Sequence, residues 1–361
     1  MIKIRGYKII KLLGQGGMAN VYLAVQKSVD RYVALKVMLP ELVSEKSFTK
    51  RFLAEARIAA RFRHPNIVSI HDVNVDDGLP YIAMEYISGG SLTSERLEKM
   101  SLHEKISVVA QVADALGFLH RQNFVHRDVK PDNVIFRTDG TAVLTDFGIA
   151  RDEKTDLRLT QTGAVIGTPY YMSPEQTRGK KLDARSDLYS LGVMLYTMVV
   201  GKVPFDGENA LSIYIMHNRE PVPDLPEEFA MLDPIVKRLM AKAPEDRFPD
   251  SSEFIRELAD VVNTSPTKLL NRSFEGEALE ITGESEEDAQ DRVTEVLEVQ
   301  TEAGDAEVAD DSGDAVDAEE PDVPGKRPDR ASPPESKPGR PGTASLQTIL
   351  GQLPNRLRER P

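Results

Sequence analysis

His126-Arg127-Asp128-Val129-Lys130-Pro131-Asp132-Asn133 and, 13 residues after Asn133, Asp146-Phe147-Gly148 decide how the rest of this 361-residue chain is read. Asn133 and Asp146 are oxygen-bearing side chains expected on neighbouring loops. Such a pair suits Mg²⁺, which prefers hard oxygen ligands and keeps its water until phosphates arrive. Asp128 is then a separate carboxylate, left to orient a nucleophilic hydroxyl. Both strings at this spacing exceed what chance supplies.

Toward the N-terminus, YKIIKLLG, VYLAVQ and YVALKVML carry strand character between short Gly-containing or Ser-Val-Asp breaks, so a strand meander is predicted. Between the first two strands stands Gly14-Gln15-Gly16-Gly17-Met18-Ala19-Asn20-Val21. A dinucleotide-binding turn is excluded, because strand rather than helix follows the glycines. Two readings stay open, a flexible hairpin turn and a loop whose backbone approaches phosphates closely. Lys36, among the apolar residues of VALKV, is either an exposed strand lysine or a phosphate-binding ammonium held by a carboxylate. Glu55 is the candidate carboxylate. It lies on a helix predicted from Phe48, Phe52, Ala56, Ala59 and Phe62, with Ser47 as N-cap and His64-Pro65 as the stop.

After two more strand-like runs (IVSIHDV, LPYIAMEYI) the pattern turns helical over 104–121, 183–201, 208–219, 228–242 and 251–262. About 85 strand-rich residues followed by a helix-rich remainder imply two lobes of an α+β fold rather than an alternating parallel sheet. The cleft between them is the natural ligand site.

Charge is distributed unevenly. The whole chain carries −13, from 45 Lys+Arg and 58 Asp+Glu. Residues 273–325 hold 20 acidic side chains against Arg292 alone, and 326–361 are net basic, which leaves 1–262 almost neutral. The acidic total would argue against nucleic acid as a partner, but with 1–262 nearly neutral that exclusion rests on the motifs instead. Beyond 262 aromatics nearly vanish and Ala, Gly, Glu, Asp and Pro dominate. Such a segment cannot offset a backbone entropy of ~1–2 kcal/mol per residue, so 263–361 is expected to be a disordered tail, acidic and then Pro-rich and basic. Leu346, Ile349, Leu350 and Leu353 could form a short amphipathic helix there, or a frayed end. Cysteine is absent, which removes thiolate metal sites and cysteine nucleophiles. The longest apolar run, Leu191 to Val200, is half a bilayer span, and a cytoplasmic protein without a transmembrane segment is expected. The six histidines show no metal-ligand spacing, and His126 is expected to pack below the loop that carries Asp128.

On these motifs, over about residues 5–262, the chain resembles the eukaryotic-like (Hanks-type) serine/threonine protein kinases of bacteria. The resemblance implies a strand-rich N-lobe (about 5–87), a helical C-lobe (about 88–262) and ATP between them. It implies that Gly14, Gln15, Gly16, Gly17, Val21, Ala34, Met84 (as gatekeeper), Glu85 and Ile87 surround the nucleotide. Lys36 would grip the α- and β-phosphates and pair with Glu55, Asp128 would be the catalytic aspartate, and Lys130 would touch the transferring phosphoryl. Asn133 and Asp146 would hold Mg²⁺, with Mn²⁺ as a substitute.

Lys130 and Gly167-Thr168-Pro169 imply serine or threonine acceptors in protein substrates, with Thr168 bonding Asp128 and Lys130. Glu175 and Arg247 would form a buried ion pair, and Asp187 would anchor the catalytic loop; Tyr189 stands where the family has tryptophan. Ala19 departs from the family's third loop glycine and would strain the backbone if φ were positive there. Arg127 before the catalytic aspartate implies control by phosphorylation in the 149–172 loop, at Thr160 or Thr162. Thr294 and Thr301 offer sites where phosphorylation would recruit a phosphothreonine-reading partner. Two alternatives remain: a pseudokinase scaffold, and a small-molecule kinase of related fold.

Overall fold

The alternation of apolar and polar residues near the N-terminus produces five antiparallel strands in the computed structural model, which describes residues 2–43, 46–147 and 169–270. They are β1 (Tyr7–Gln15), β2 (Ala19–Gln26), β3 (Arg31–Met38), β4 (Ile70–Asp76) and β5 (Leu79–Glu85), in the sheet order β1-β2-β3-β5-β4. Two short helices, α1 (Pro40–Val43) and α2 (Lys46–Ala59), interrupt the meander between β3 and β4. Helix α2 begins at Lys46, so Ser47 lies inside it and is not its N-cap as expected. It ends at Ala59, and a tight turn closed by Phe62 N–H on the Ala59 carbonyl carries the chain to Pro65. One face of the sheet and the Phe52, Ala56 and Ala59 stripe of α2 join the main core, while Val33, Leu35, Val37, Tyr81 and Ala83 build a smaller core on the other face.

The second lobe contains α3 (Ser94–Lys99), α4 (Leu102–Arg121), the hairpin β6 (Val134–Phe136) and β7 (Ala142–Leu144), then α5 (Pro174–Thr177), α6 (Ala184–Val200), α7 (Ala210–Arg219), α8 (Asp233–Leu239), α9 (Ser251–Val261) and α10 (Pro266–Leu269). Ser101 and Glu104 form a reciprocal capping box on α4, satisfying two N–H groups at its start. Helix α6 ends at Gly201, whose φ of 81° provides the left-handed cap that favours glycine. The expected 228–242 helix is two pieces, a 3₁₀ turn over Glu227–Leu232 and then α8 with Pro234 in its first turn. Helices α4 and α6 are buried along most of their length and pack on each other at the centre of the lobe.

The folded part passes the expected boundary at 262. Leu269 is fully buried, and its carbonyl accepts the Ser107 hydroxyl of α4 at 2.8 Å. A Pro at the first turn and a Ser265 side-chain cap start this last helix, signals that the tail-like composition around them hides. No helix among the described residues is long and apolar enough to cross a membrane.

Candidate active site

The period of two along strands gathers the N-lobe part of the site. In the β2–β3–β5 register Val21 faces Lys36 and Ala34 faces Met84, so these four share one face of the sheet. Met84 belongs to the core that runs into the second lobe. Glu85 is one residue out of phase and points to the opposite face; Ile87 follows in the connection to α3. Gly14 and Gln15 close β1, and Gly16 N–H bonds the Ala19 carbonyl at 3.0 Å across the turn. A Cβ on Gly16 would stand 3.1 Å from that carbonyl oxygen, a tight contact that a side chain there could keep only if the turn shifted by a few tenths of an ångström. Ala19 carries no such strain. It begins β2 opposite Met38 and is not among the residues with positive φ, so the cost expected for its methyl does not arise.

The loop that carries Asp128 is fixed from below by α6. Asp187 is buried, and its carboxylate accepts the His126 and Arg127 backbone N–H groups at 2.8 Å each, with His120 Nε2 also 2.8 Å away. Burial would raise this carboxyl, but the bonds and charge of His120 and His126 outweigh it and hold it below its usual value. The anchors let Arg127 keep a left-handed φ of 68°, a conformation that is costly for a non-glycine residue. His126 is fully buried, which lowers its pKa. Its Nδ1 accepts the Asp128 N–H at 3.3 Å, leaving Nε2–H to donate to the Thr145 carbonyl at 3.1 Å.

Above this floor stand Asp128, Lys130, Asn133 and Asp146. Asn133 Nδ2 donates to the Asp128 carbonyl (2.7 Å) and to Asp128 Oδ2 (3.0 Å), and Lys130 Nζ lies 3.2 Å from the same Oδ2. With its nitrogen so committed, Asn133 has its side-chain oxygen left for a cation. Asp146, with φ 55°, follows β7, and its Oδ1 is 2.5 Å from Lys36 Nζ. Burial pushes the Asp146 carboxyl up, but the charge and hydrogen bond of Lys36 bring it below its ordinary value. The described residues contain no cluster of three or more acidic, His or Cys ligands. The Asn133 and Asp146 oxygens are the groups that would hold a divalent cation here.

Among the described residues Lys36 pairs with Asp146. Glu55 is on α2 as expected. Gly148, Thr160, Thr162, Gly167 and Thr168 lie outside the described residues.

Two supports were missed in the sequence. Gln176 Nε2 donates to the Arg127 carbonyl at 3.0 Å, so both backbone groups of Arg127 are held, and Gln176 also closes a capping box with Ser173. The S-x-x-Q spacing Ser173–Gln176 was a readable sign of that helix start. His120 is the second, and carried no signal beyond its place in the last turn of α4.

Asp187→Asn tests the anchor. An amide offers one oxygen where the carboxylate offers two, so a buried N–H of the catalytic loop would face an NH₂ group. At ~1–3 kcal/mol for each lost buried bond, kcat is expected to fall about ten- to a hundredfold, with a lower melting temperature. Wild-type kcat in this variant would mean that the loop does not depend on Asp187.

These groups occupy one cleft between a five-stranded lobe and a helical lobe. The chain belongs to the protein kinase family: the protein kinase domain model matches residues 7–269. Among its relatives, serine/threonine-protein kinase PknB of Mycobacterium tuberculosis is 40% identical over 271 residues, covering 72% of this chain and 43% of PknB. PrkC of Bacillus subtilis, also named a serine/threonine-protein kinase, is 37% identical over 253 residues, 68% of this chain and 39% of PrkC. The chain thus spans about two fifths of the length of these curated relatives. In structure it is similar to the crystallised PknI kinase domain of M. tuberculosis, with a TM-score of 0.59 and 29% identity over 72% of this chain and 98% of that one.

Proposed function

We propose that the chain is an active ATP-dependent serine/threonine protein kinase, which transfers the γ-phosphoryl group to hydroxyls of protein substrates. The observation that carries this reading is the convergence of Asp128, Lys130 and Asn133 on one hydrogen-bonded cluster facing the Lys36–Asp146 pair. Asp128 accepts the proton of the acceptor hydroxyl and orients its oxygen for in-line attack. Lys130, 3.2 Å from Asp128, is placed to neutralise charge on the transferring group. Lys36 binds phosphate oxygens, and Asn133 and Asp146 hold the metal. Mg²⁺, when bound, supplies positive charge to the β- and γ-phosphates. The serine/threonine preference rests on Lys130 and on the names of the relatives.

Incubation with labelled ATP, Mg²⁺ and a general protein substrate, with Asp128→Asn as control, tests the reading. Label on protein that disappears in the variant supports it. No transfer at all favours a scaffold, and label on small molecules alone favours a small-molecule kinase.

Regulation by autophosphorylation belongs to the same reading. Each new phosphate adds about −1.5 to −2 charge, which suits the Arg127 guanidinium. Mass spectrometry after incubation with ATP is expected to find phosphate on Thr160, Thr162 or both, and Thr160→Ala/Thr162→Ala to lower activity. A fully active protein with both threonines bare would reject this role. A cytoplasmic site of action and a phosphothreonine-reading partner for Thr294 or Thr301 are the remaining parts of the proposal.

A further inference from the structure

The connection between the lobes, residues 86–93, is strapped to the β6–β7 hairpin at two places. At its start, the Glu85 carboxylate meets both terminal nitrogens of Arg137: Nη1 bonds Oε1, and Nη2 lies 3.1 Å from Oε2. Both side chains are partly buried, at 30% and 24% exposure. Further along, Phe136 N–H bonds the Gly90 carbonyl (2.9 Å) and Leu92 N–H the Val134 carbonyl (3.0 Å), so the connection runs as a partial third strand beside β6. A Cβ on Gly89 would stand 2.4 Å from the Phe136 carbonyl oxygen, a measure of how tightly the two backbones are pressed together. Arg96 closes the strap, donating to the Gly89 carbonyl at 2.6 Å while its guanidinium stacks 3.7 Å from the Phe136 ring centre.

Arg137 is well placed to act through this strap. Its own backbone is tied into the β6–β7 turn, N–H to the Thr141 carbonyl and C=O to Gly140 N–H, both at 3.0 Å. The other end of the hairpin presents Asn133, just before β6, and Asp146, two residues beyond β7. One short rigid hairpin therefore carries the proposed metal ligands at one end and holds the proposed adenine-contacting backbone, Glu85 to Ile87, at the other. Burial would raise the Glu85 carboxyl, yet the Arg137 hydrogen bonds and charge bring it below its usual value, so Glu85 stays ionised at neutral pH.

We propose that Arg137 is a positioning residue for the nucleotide: its bidentate clasp on Glu85 sets where the connecting backbone stands relative to Asn133 and Asp146, and so governs ATP affinity rather than the rate of transfer. The inference rests on the kinase reading above. Because the clasp touches neither the acceptor hydroxyl nor the phosphates, its removal should separate binding from chemistry.

The test measures the Kd for ATP with Mg²⁺ by calorimetry, together with KM and kcat, on the full chain. Arg137→Ala is expected to raise Kd and KM for ATP about tenfold, as suits the loss of one partner of a partly buried charged bond, while kcat at saturating ATP stays within about twofold. Arg137→Lys keeps the charge but not the fork and should fall between. The swapped pair Glu85→Arg/Arg137→Glu rebuilds the clasp with reversed polarity and is expected to bind ATP more tightly than Arg137→Ala. It also keeps the proposal falsifiable should the alanine variant be poorly folded. A folded Arg137→Ala with wild-type Kd, a fall in kcat at unchanged KM, or a swapped pair no better than the alanine variant would each overturn the clasp alone. Wild-type protein that bound no ATP with Mg²⁺ would overturn the kinase reading as well.

Discussion

Asp128→Asn is expected to lower kcat by roughly 10²–10⁴-fold, the range associated with removing a positioned general base. The substitution is isosteric, and the local bonds explain why it should leave the fold intact. Asp128 N–H still reaches His126 Nδ1, and the backbone carbonyl still receives Asn133 Nδ2. If the amide oxygen takes the place of Oδ2, it can accept from Asn133 and Lys130, which stand 3.0 and 3.2 Å away. The NH₂ group then points at the acceptor hydroxyl, where a second acceptor was required. Melting temperature and Kd for ATP should therefore change little while transfer collapses. Steady-state transfer of labelled phosphate, set beside a thermal melt, checks both halves. A variant retaining more than about a tenth of wild-type kcat would remove Asp128 from the role assigned to it.

Arg247→Ala is expected to cost about 3–5 kcal/mol of stability, because it leaves a buried carboxylate without its counter-charge. The Arg247 side chain is 0% exposed. Its Nη1 and Nη2 reach the two Glu175 oxygens at 2.7 and 2.9 Å, and Nε, Nη1 and Nη2 also donate to the carbonyls of Ala241, Arg185 and Lys242. Ser186 Oγ adds a bond to Glu175 at 2.6 Å. Alanine removes all the Arg247 side-chain bonds. For a domain of this size the expected fall in Tm is on the order of 10 °C. The double variant Glu175→Met/Arg247→Met should be less destabilised than Arg247→Ala, since no buried charge is then left alone. A melt of Arg247→Ala within a degree of wild type would show that the pair is not holding the segment.

The same pair sets an acid limit. Glu175 has its carboxyl pushed up by burial and pulled further down by Arg247, so its folded pKa lies below the unfolded value of ~4.3. Its contribution is complete above that unfolded value and is lost as pH falls through the folded one.

What could be read from the chain beforehand, and what could not, divides along physical lines. Asp128, Lys130 and Asn133 fall within six residues of one another, so a local string specifies their company. The five N-terminal strands and the helices α4, α6, α7 and α9 were legible for the same reason, since periodicity is a local property; the three-residue strands β6 and β7 are too short to show one. The Glu175–Arg247 pair was legible only through the family resemblance. The Lys36–Asp146 contact was not legible, because its two residues stand 110 apart in the chain and no local string joins them. The Glu85–Arg137 clasp spans 52 residues and joins two types that pair promiscuously, so no pattern announced it. Helix α10 escaped because composition marks it as tail, whereas its burial comes from a surface on α4 prepared far upstream. The condition attached to Ala19, a positive φ, is one that a sequence does not reveal, and at the start of β2 it is not met.

Helix α6 is buried over most of its length, and within it Ser186 and Asp187 hold, respectively, Glu175 and the backbone of His126 and Arg127. The catalytic loop is therefore joined by hydrogen bonds to the deepest element of the lobe rather than resting on its surface. In terms of local opening, the loop cannot detach without breaking bonds whose other ends lie in the core, so His126 and Arg127 share the cooperative unit of α6. Heat would then remove catalysis and structure together, and the loop would not fail first.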